Sequence, residues 1–100
     1  MAPGGGVIGY YIDDMGFAFH GFLRAPDGTI TTFDAPGAGT SYPLGTFAES
    51  INTVGAITGF YQDGSSVYHG YLRAPGGTLT SFDAPGAGTA SGQGTFAVNI

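Results

Sequence analysis

The hydrophobic pattern along this chain is that of short strands. Positions 46–51, 56–62, 67–73 and 78–82 are rich in β-branched and aromatic residues and are separated by turn chemistry. Asn52-Thr53-Val54-Gly55 reads as a hairpin turn. Ala25-Pro26-Asp27-Gly28 and Ala74-Pro75-Gly76-Gly77 each combine a proline, which fixes φ, with a glycine, which accepts a positive φ. Apolar residues occur at both parities, as in Ala56, Ile57, Phe60 and Tyr61, so both faces of a sheet should be covered. No ten-residue stretch holds a 3.6-residue apolar period free of glycine or proline, which predicts an all-β chain without helices.

The strand pattern is written twice. His20-Gly21-Phe22-Leu23-Arg24-Ala25-Pro26 returns 49 residues later as His69-Gly70-Tyr71-Leu72-Arg73-Ala74-Pro75. Positions 20–51 and 69–100 share 22 identities in 32, which marks a duplicated structural unit. Gly9-Tyr10-Tyr11 matches Gly59-Phe60-Tyr61 at an offset of 50, so the first copy holds one extra residue before His20. The second repeat, 45–93, contains four strands. The first, 6–44, lacks the opening strand, whose counterpart lies at 95–100.

Four antiparallel strands in about 50 residues, followed by a long Gly- and Pro-bearing link from Ala35 to Gly45, describe a β-propeller blade. The 100 residues then form a single two-blade propeller fragment, circularly permuted relative to the blade. Two blades cannot close a ring, because propellers need about four to eight. The expected resolution is homo-oligomerisation, with strand 95–100 of one chain completing the first repeat of a neighbour. We expect a homotrimer of six blades, with a homotetramer of eight as the alternative.

Charge narrows the partners. Seven acidic residues face only Arg24 and Arg73, for a net charge of −5, so a phosphate backbone or anionic membrane surface is not an expected partner. The chain has no cysteine, which excludes disulfides, thiolate metal sites and cysteine nucleophiles. The first six residues show no basic or hydrophobic leader region, so no signal peptide is expected in this chain.

Candidate chemistry is itself repeated: Asp13 and Asp63, His20 and His69, Arg24 and Arg73, Asp34 and Asp83 occupy equivalent positions. A His/Asp pair can serve acid-base work or a metal. Identical active sites in every repeat would be unusual, so these eight are read as structural positions that satisfy buried polar groups or pair across blades. Asp34 and Asp83 precede Ala-Pro and are expected to cap turns. A four-residue hairpin loop would set Arg24 opposite Thr29 and on the face away from Asp34, directing the arginines either to carboxylates of an adjacent blade or to solvent. Asp13-Asp14 lacks the spacing of a calcium loop. Neither a phosphate loop nor a Gly-x-Ser-x-Gly elbow is present. We expect no enzyme activity, cofactor or metal. Tyr10, Tyr11, Tyr42 and Tyr61 are candidate contacts for a carbohydrate or peptide at a ring face or central channel. Copy-to-copy differences concentrate at 14–17 against 64–66 and at 41–44 against 90–93.

The blocks Ile51-Asn52-Thr53-Val54-Gly55, Gly59-Phe60-Tyr61-Gln62-Asp63, His69-Gly70-Tyr71-Leu72-Arg73 and Gly77-Thr78-Leu79-Thr80-Ser81-Phe82-Asp83 resemble the HAF family of bacterial extracellular repeats. In that family Gly-x-Tyr-x-Asp and His-Gly-Phe-Leu blocks recur in tandem. The resemblance spans nearly the whole chain and implies an extracellular setting and an array longer than two repeats. Two copies this alike suggest an excised or designed fragment.

Overall fold

Turn residues cut the chain where the hydrophobic pattern predicts, and the pieces pair as antiparallel ribbons. The computed structural model describes residues 6–13, 18–41 and 43–100. Among them the chain is all-β, with seven strands, no helix and a single open sheet. The strands are β1 (Val7–Ile12), β2 (Phe19–Arg24), β3 (Ile30–Phe33), β4 (Gly45–Ile51), β5 (Ile57–Gln62), β6 (Tyr68–Arg73) and β7 (Leu79–Phe82). The meander β4-β5-β6-β7 is antiparallel throughout, and β2 carries β1 and β3 as its antiparallel neighbours. No helix among the described residues is long and apolar enough to cross a membrane.

The Asn52 turn forms as its sequence predicts. Its side-chain Oδ1 accepts from the backbone N–H of Val54 and of Ala56, and Gly55 takes a φ of 90°. The Pro26 turn corrects the register. Ala25 N–H donates to Thr29 O and Gly28 adopts a φ of 94°, so Arg24 faces Ile30 and not Thr29. That one-residue shift brings Asp34 onto the face that Arg24 and His20 already share along β2, because side-chain parity alternates along a strand. Arg73 faces Leu79 in the same way.

The two halves of the sheet meet at one parallel pair, Phe19 with Gly45. Gly45 has a φ of 131°, and a Cβ there would run into the Phe19 carbonyl, so the close crossing requires glycine. Phe19 N–H also donates to Leu44 O at 2.9 Å. The same arrangement recurs 49 residues on: Gly94, φ 134°, bridges Tyr68 in parallel, and Tyr68 N–H donates to Gln93 O at 2.8 Å. Beyond that bridge, residues 95–100 form no ladder, in contrast to the strand expected there. Strand geometry needs a partner along its length; the counterpart β4 has β5 beside it, whereas the strand equivalent to β5, β1, lies at the opposite end of the sheet.

The core lies between the halves. Phe33 and Ala35 from one side pack with Ala48, Ile57, Tyr61 and Tyr71 from the other. Tyr71 is fully buried, and burial pushes its phenol well above the ordinary tyrosine value; it stays protonated and donates to Phe47 O at 3.1 Å. Thr46, also fully buried, accepts from Ala35 N–H at 3.0 Å, tying the link after β3 to β4. Two substitutions probe this core. Ile57→Ala should destabilise by about 2–5 kcal/mol through the cavity it leaves. Thr46→Val should lose about 1–3 kcal/mol by stranding the Ala35 donor. Chemical denaturation monitored by circular dichroism measures both.

Candidate functional site

Antiparallel register assembles the repeated polar residues. Gly21 pairs with Phe33, which sets His20 beside Asp34, and the end of β1 returns Asp13 to the other side of the ring. His20 Nδ1 lies 2.7 Å from Asp34 Oδ1, and Nε2 lies 3.1 Å from Asp13 Oδ2. Gly70 pairs with Phe82, and the arrangement is repeated: His69 Nδ1 to Asp83 Oδ1 at 2.6 Å, Nε2 to Asp63 Oδ2 at 2.7 Å. Each imidazole is thus clamped between two carboxylates, and only the doubly protonated ring can donate to both. Tyr11 covers His20 and Tyr61 covers His69, with ring centroids 5.2 and 5.0 Å apart.

Electrostatics follow the geometry. The His20 pKa is raised by hydrogen bonding to Asp13 and then Asp34, and the His69 pKa by hydrogen bonding to Asp63, against desolvation. The Asp63 carboxyl is lowered, first by His69; its Oδ1 meanwhile accepts from the backbone N–H of Ser65 and Val67 and caps the β5–β6 turn. Asp34 and Asp83 spend themselves on histidine rather than on the turns they were expected to cap. The pairing of all six His and Asp side chains was not predicted from the sequence. The signal was present in the equal spacing of His20 to Asp34 and His69 to Asp83.

The two arginines differ from one another, and among the described residues neither makes the expected ion pair within the chain; the ion pairs there are the four His–Asp contacts. Arg73 instead reaches across to β3, its guanidinium 5.2 Å from the Phe33 ring centroid, while Arg24 is exposed. Tyr10 joins an aromatic cluster with Phe19 and Phe47. Tyr42 and residues 14–17 lie outside the described residues. A cleft of about 270 Å³ beside the first clamp is lined by Asp13, His20, Asp34 and the link residues Ala38 to Thr40. A second cleft, about 340 Å³, lies away from the clamps between the start of β1 and the end of β4, with Glu49 its one ionisable side chain. Among the described residues no group of three or more His, Asp or Glu is placed to hold a metal ion.

No protein family, curated protein or solved structure matches this chain.

Chemically, the clamps staple strands. Both ring nitrogens of each histidine are engaged, so neither offers a free base to a substrate, and each ring ties the strand-end aspartate to the one after β3 or β7. Raised histidine values contribute stability that is fully present below 6.5 and lost as pH rises through the folded values. The lowered Asp63 contributes stability present above 3.8 and lost as pH falls through its folded value. Melting temperature should therefore be highest between 3.8 and 6.5 and decline toward alkaline pH. His69→Gln should flatten that alkaline decline and remove roughly 1 kcal/mol, a figure discounted for the exposure of Asp83. A series of thermal melts across pH on both proteins checks this.

Proposed function

We propose that the chain is a non-catalytic structural repeat that self-assembles into a symmetric β-propeller ring, two four-stranded blades per chain. Six blades as a homotrimer is the preferred ring and eight as a homotetramer the alternative. The observation that carries this reading is the recurrence of one contact set. Residues 93–96 make toward β5 and β6 the contacts that residues 44–47 make toward β1 and β2.

Ala35 N–H donates to Thr46 Oγ1 at 3.0 Å, and Ala84 N–H to Thr95 Oγ1 at 2.9 Å. Phe47 packs on Tyr10 and Phe19, both at 5.0 Å, and Phe96 packs on Phe60 at 5.2 Å and Tyr68 at 4.4 Å. Residues 94–96 thus make the contacts with which an innermost strand would start a further blade. β4 at the equivalent place continues into a ladder with β5. A head-to-tail contact of this kind closes into a ring when its rotation is a whole fraction of a turn.

Saturation of both histidines by carboxylates supports a structural role over catalysis. Tyr10 and Tyr11, the exposed candidates for a carbohydrate or peptide, lie on the strand that the ring would cover, which weighs against that use. The resemblance to HAF repeats supports an extracellular setting. Size-exclusion chromatography with light scattering tests the proposal: the expected mass is three chains of 10.1 kDa, or four. A single-chain mass overturns it.

A further inference from the structure

We infer that the outer face of the second repeat of one copy docks on the outer face of the first repeat of the next, reproducing between chains the core found within the chain. This rests on the ring reading and specifies its interface. Within the chain, the face carrying Phe33 covers the face carrying Ile57, Tyr61, Tyr71 and Arg73. The counterparts of all these residues are present a second time, and apart from the half-buried Phe22 they are open to solvent.

Burial measures the asymmetry. Phe33 is 8% exposed but its counterpart Phe82 is 44%, although each ring lies over an equivalent glycine, Gly21 or Gly70. On the receiving side Ile57 is 0% and Tyr61 6% exposed, against 46% for Val7 and 39% for Tyr11. Arg73 is partly buried on Phe33, whereas Arg24 is exposed. The residues left uncovered are thus Phe82 on one face, and Val7, Tyr11 and Arg24 on the other. Monomers rarely leave such apolar groups open on two complementary faces.

The match specifies contacts. Phe82 of one copy takes, against Phe22 and Arg24 of the next, the place that Phe33 takes against Tyr71 and Arg73. Gly39 N–H donates to Gln62 O at 2.8 Å within the chain, so Gly88 N–H meets Ile12 O between chains. The register of β4 on β5 carries over as well. Phe47 faces Phe60 and Ile51 faces Ile57, so Phe96 faces Tyr10 and Ile100 faces Val7 of the next copy. Phe47 stacks on Phe60 at 5.3 Å, and the same stacking of Phe96 on Tyr10 joins the rings of successive copies into one unbroken aromatic belt.

The interface is heterologous, joining two different faces, which gives it a distinctive test. Phe82→Glu blocks one face and Val7→Lys the other. Each variant, checked for parental circular dichroism, should self-associate at least about a hundredfold more weakly than the parent, as expected for an unpaired charge in an apolar interface. Mixing the two should restore one intact interface and give a dimer with no larger species. Because the chain has no cysteine, Val7→Cys/Ile100→Cys provides an independent readout free of background thiols. Mild oxidation should link chains into a closed oligomer, while Ile8→Cys/Ile100→Cys, one residue out of register, should link poorly. A parent chain that assembles while the blocked variants still assemble, the mixture stays monomeric, or Val7→Cys/Ile100→Cys links within one chain or not at all overturns the face assignment and leaves the ring standing. A monomeric parent overturns the ring itself.

Discussion

The structure depends on packing one repeat's face against the next. A four-stranded antiparallel ribbon with apolar residues at both parities cannot bury both faces by itself. The chain resolves this once, at its centre, where Phe33 and Ala35 cover Ile57, Tyr61 and Tyr71. Other features serve that contact. Gly45 allows backbone to cross backbone at Phe19, Thr46 fastens the link after β3, and the Tyr71 hydroxyl reaches back to β4. A chain made of repeats that cover one another in sequence always has one uncovered face at each end.

The clamps and the aromatic cluster reinforce this packing from two sides. Each Asp–His–Asp clamp holds a strand end to the residue that follows the outermost strand, and so fixes where the long link begins. The rings of Tyr10, Phe19, Phe47, Phe60, Tyr68 and Phe96 run continuously through neighbouring contacts from β1 to the last described segment. Edge-to-face and stacked rings add about 0.5–1.5 kcal/mol per pair beyond the area they bury. Outside the clamps, charge plays a small part, as befits a chain with two arginines, and the one that is partly buried acts on an aromatic face.

Much of this was legible in the sequence because repetition and turn chemistry are local signals. The all-β class, the positions of β4 to β7 and the Asn52 turn follow from β-branched runs bounded by glycine, proline and asparagine. What escaped depends on parity. The Pro26-Asp27-Gly28 turn places Gly28 at positive φ, and the resulting pairing of Ala25 with Thr29 flips the face on which Arg24 sits. That same parity brings His20 to Asp34, which local reasoning had assigned to a turn. The segment 95–100 has the sequence of a strand and lacks only a partner. Propensity cannot supply a ladder when the matching edge, that of β1, lies at the opposite end of the sheet.

Amide hydrogen exchange tests the central claim most directly, because it reads the free edge of β1 residue by residue. If the face that β4 presents to β5 is reproduced between chains, the β1 amides not bonded to β2 should be protected to the level of their β5 counterparts. That protection should disappear on dilution below the assembly concentration. Rapid exchange of those amides at every concentration, beside well-protected β5, would contradict the account.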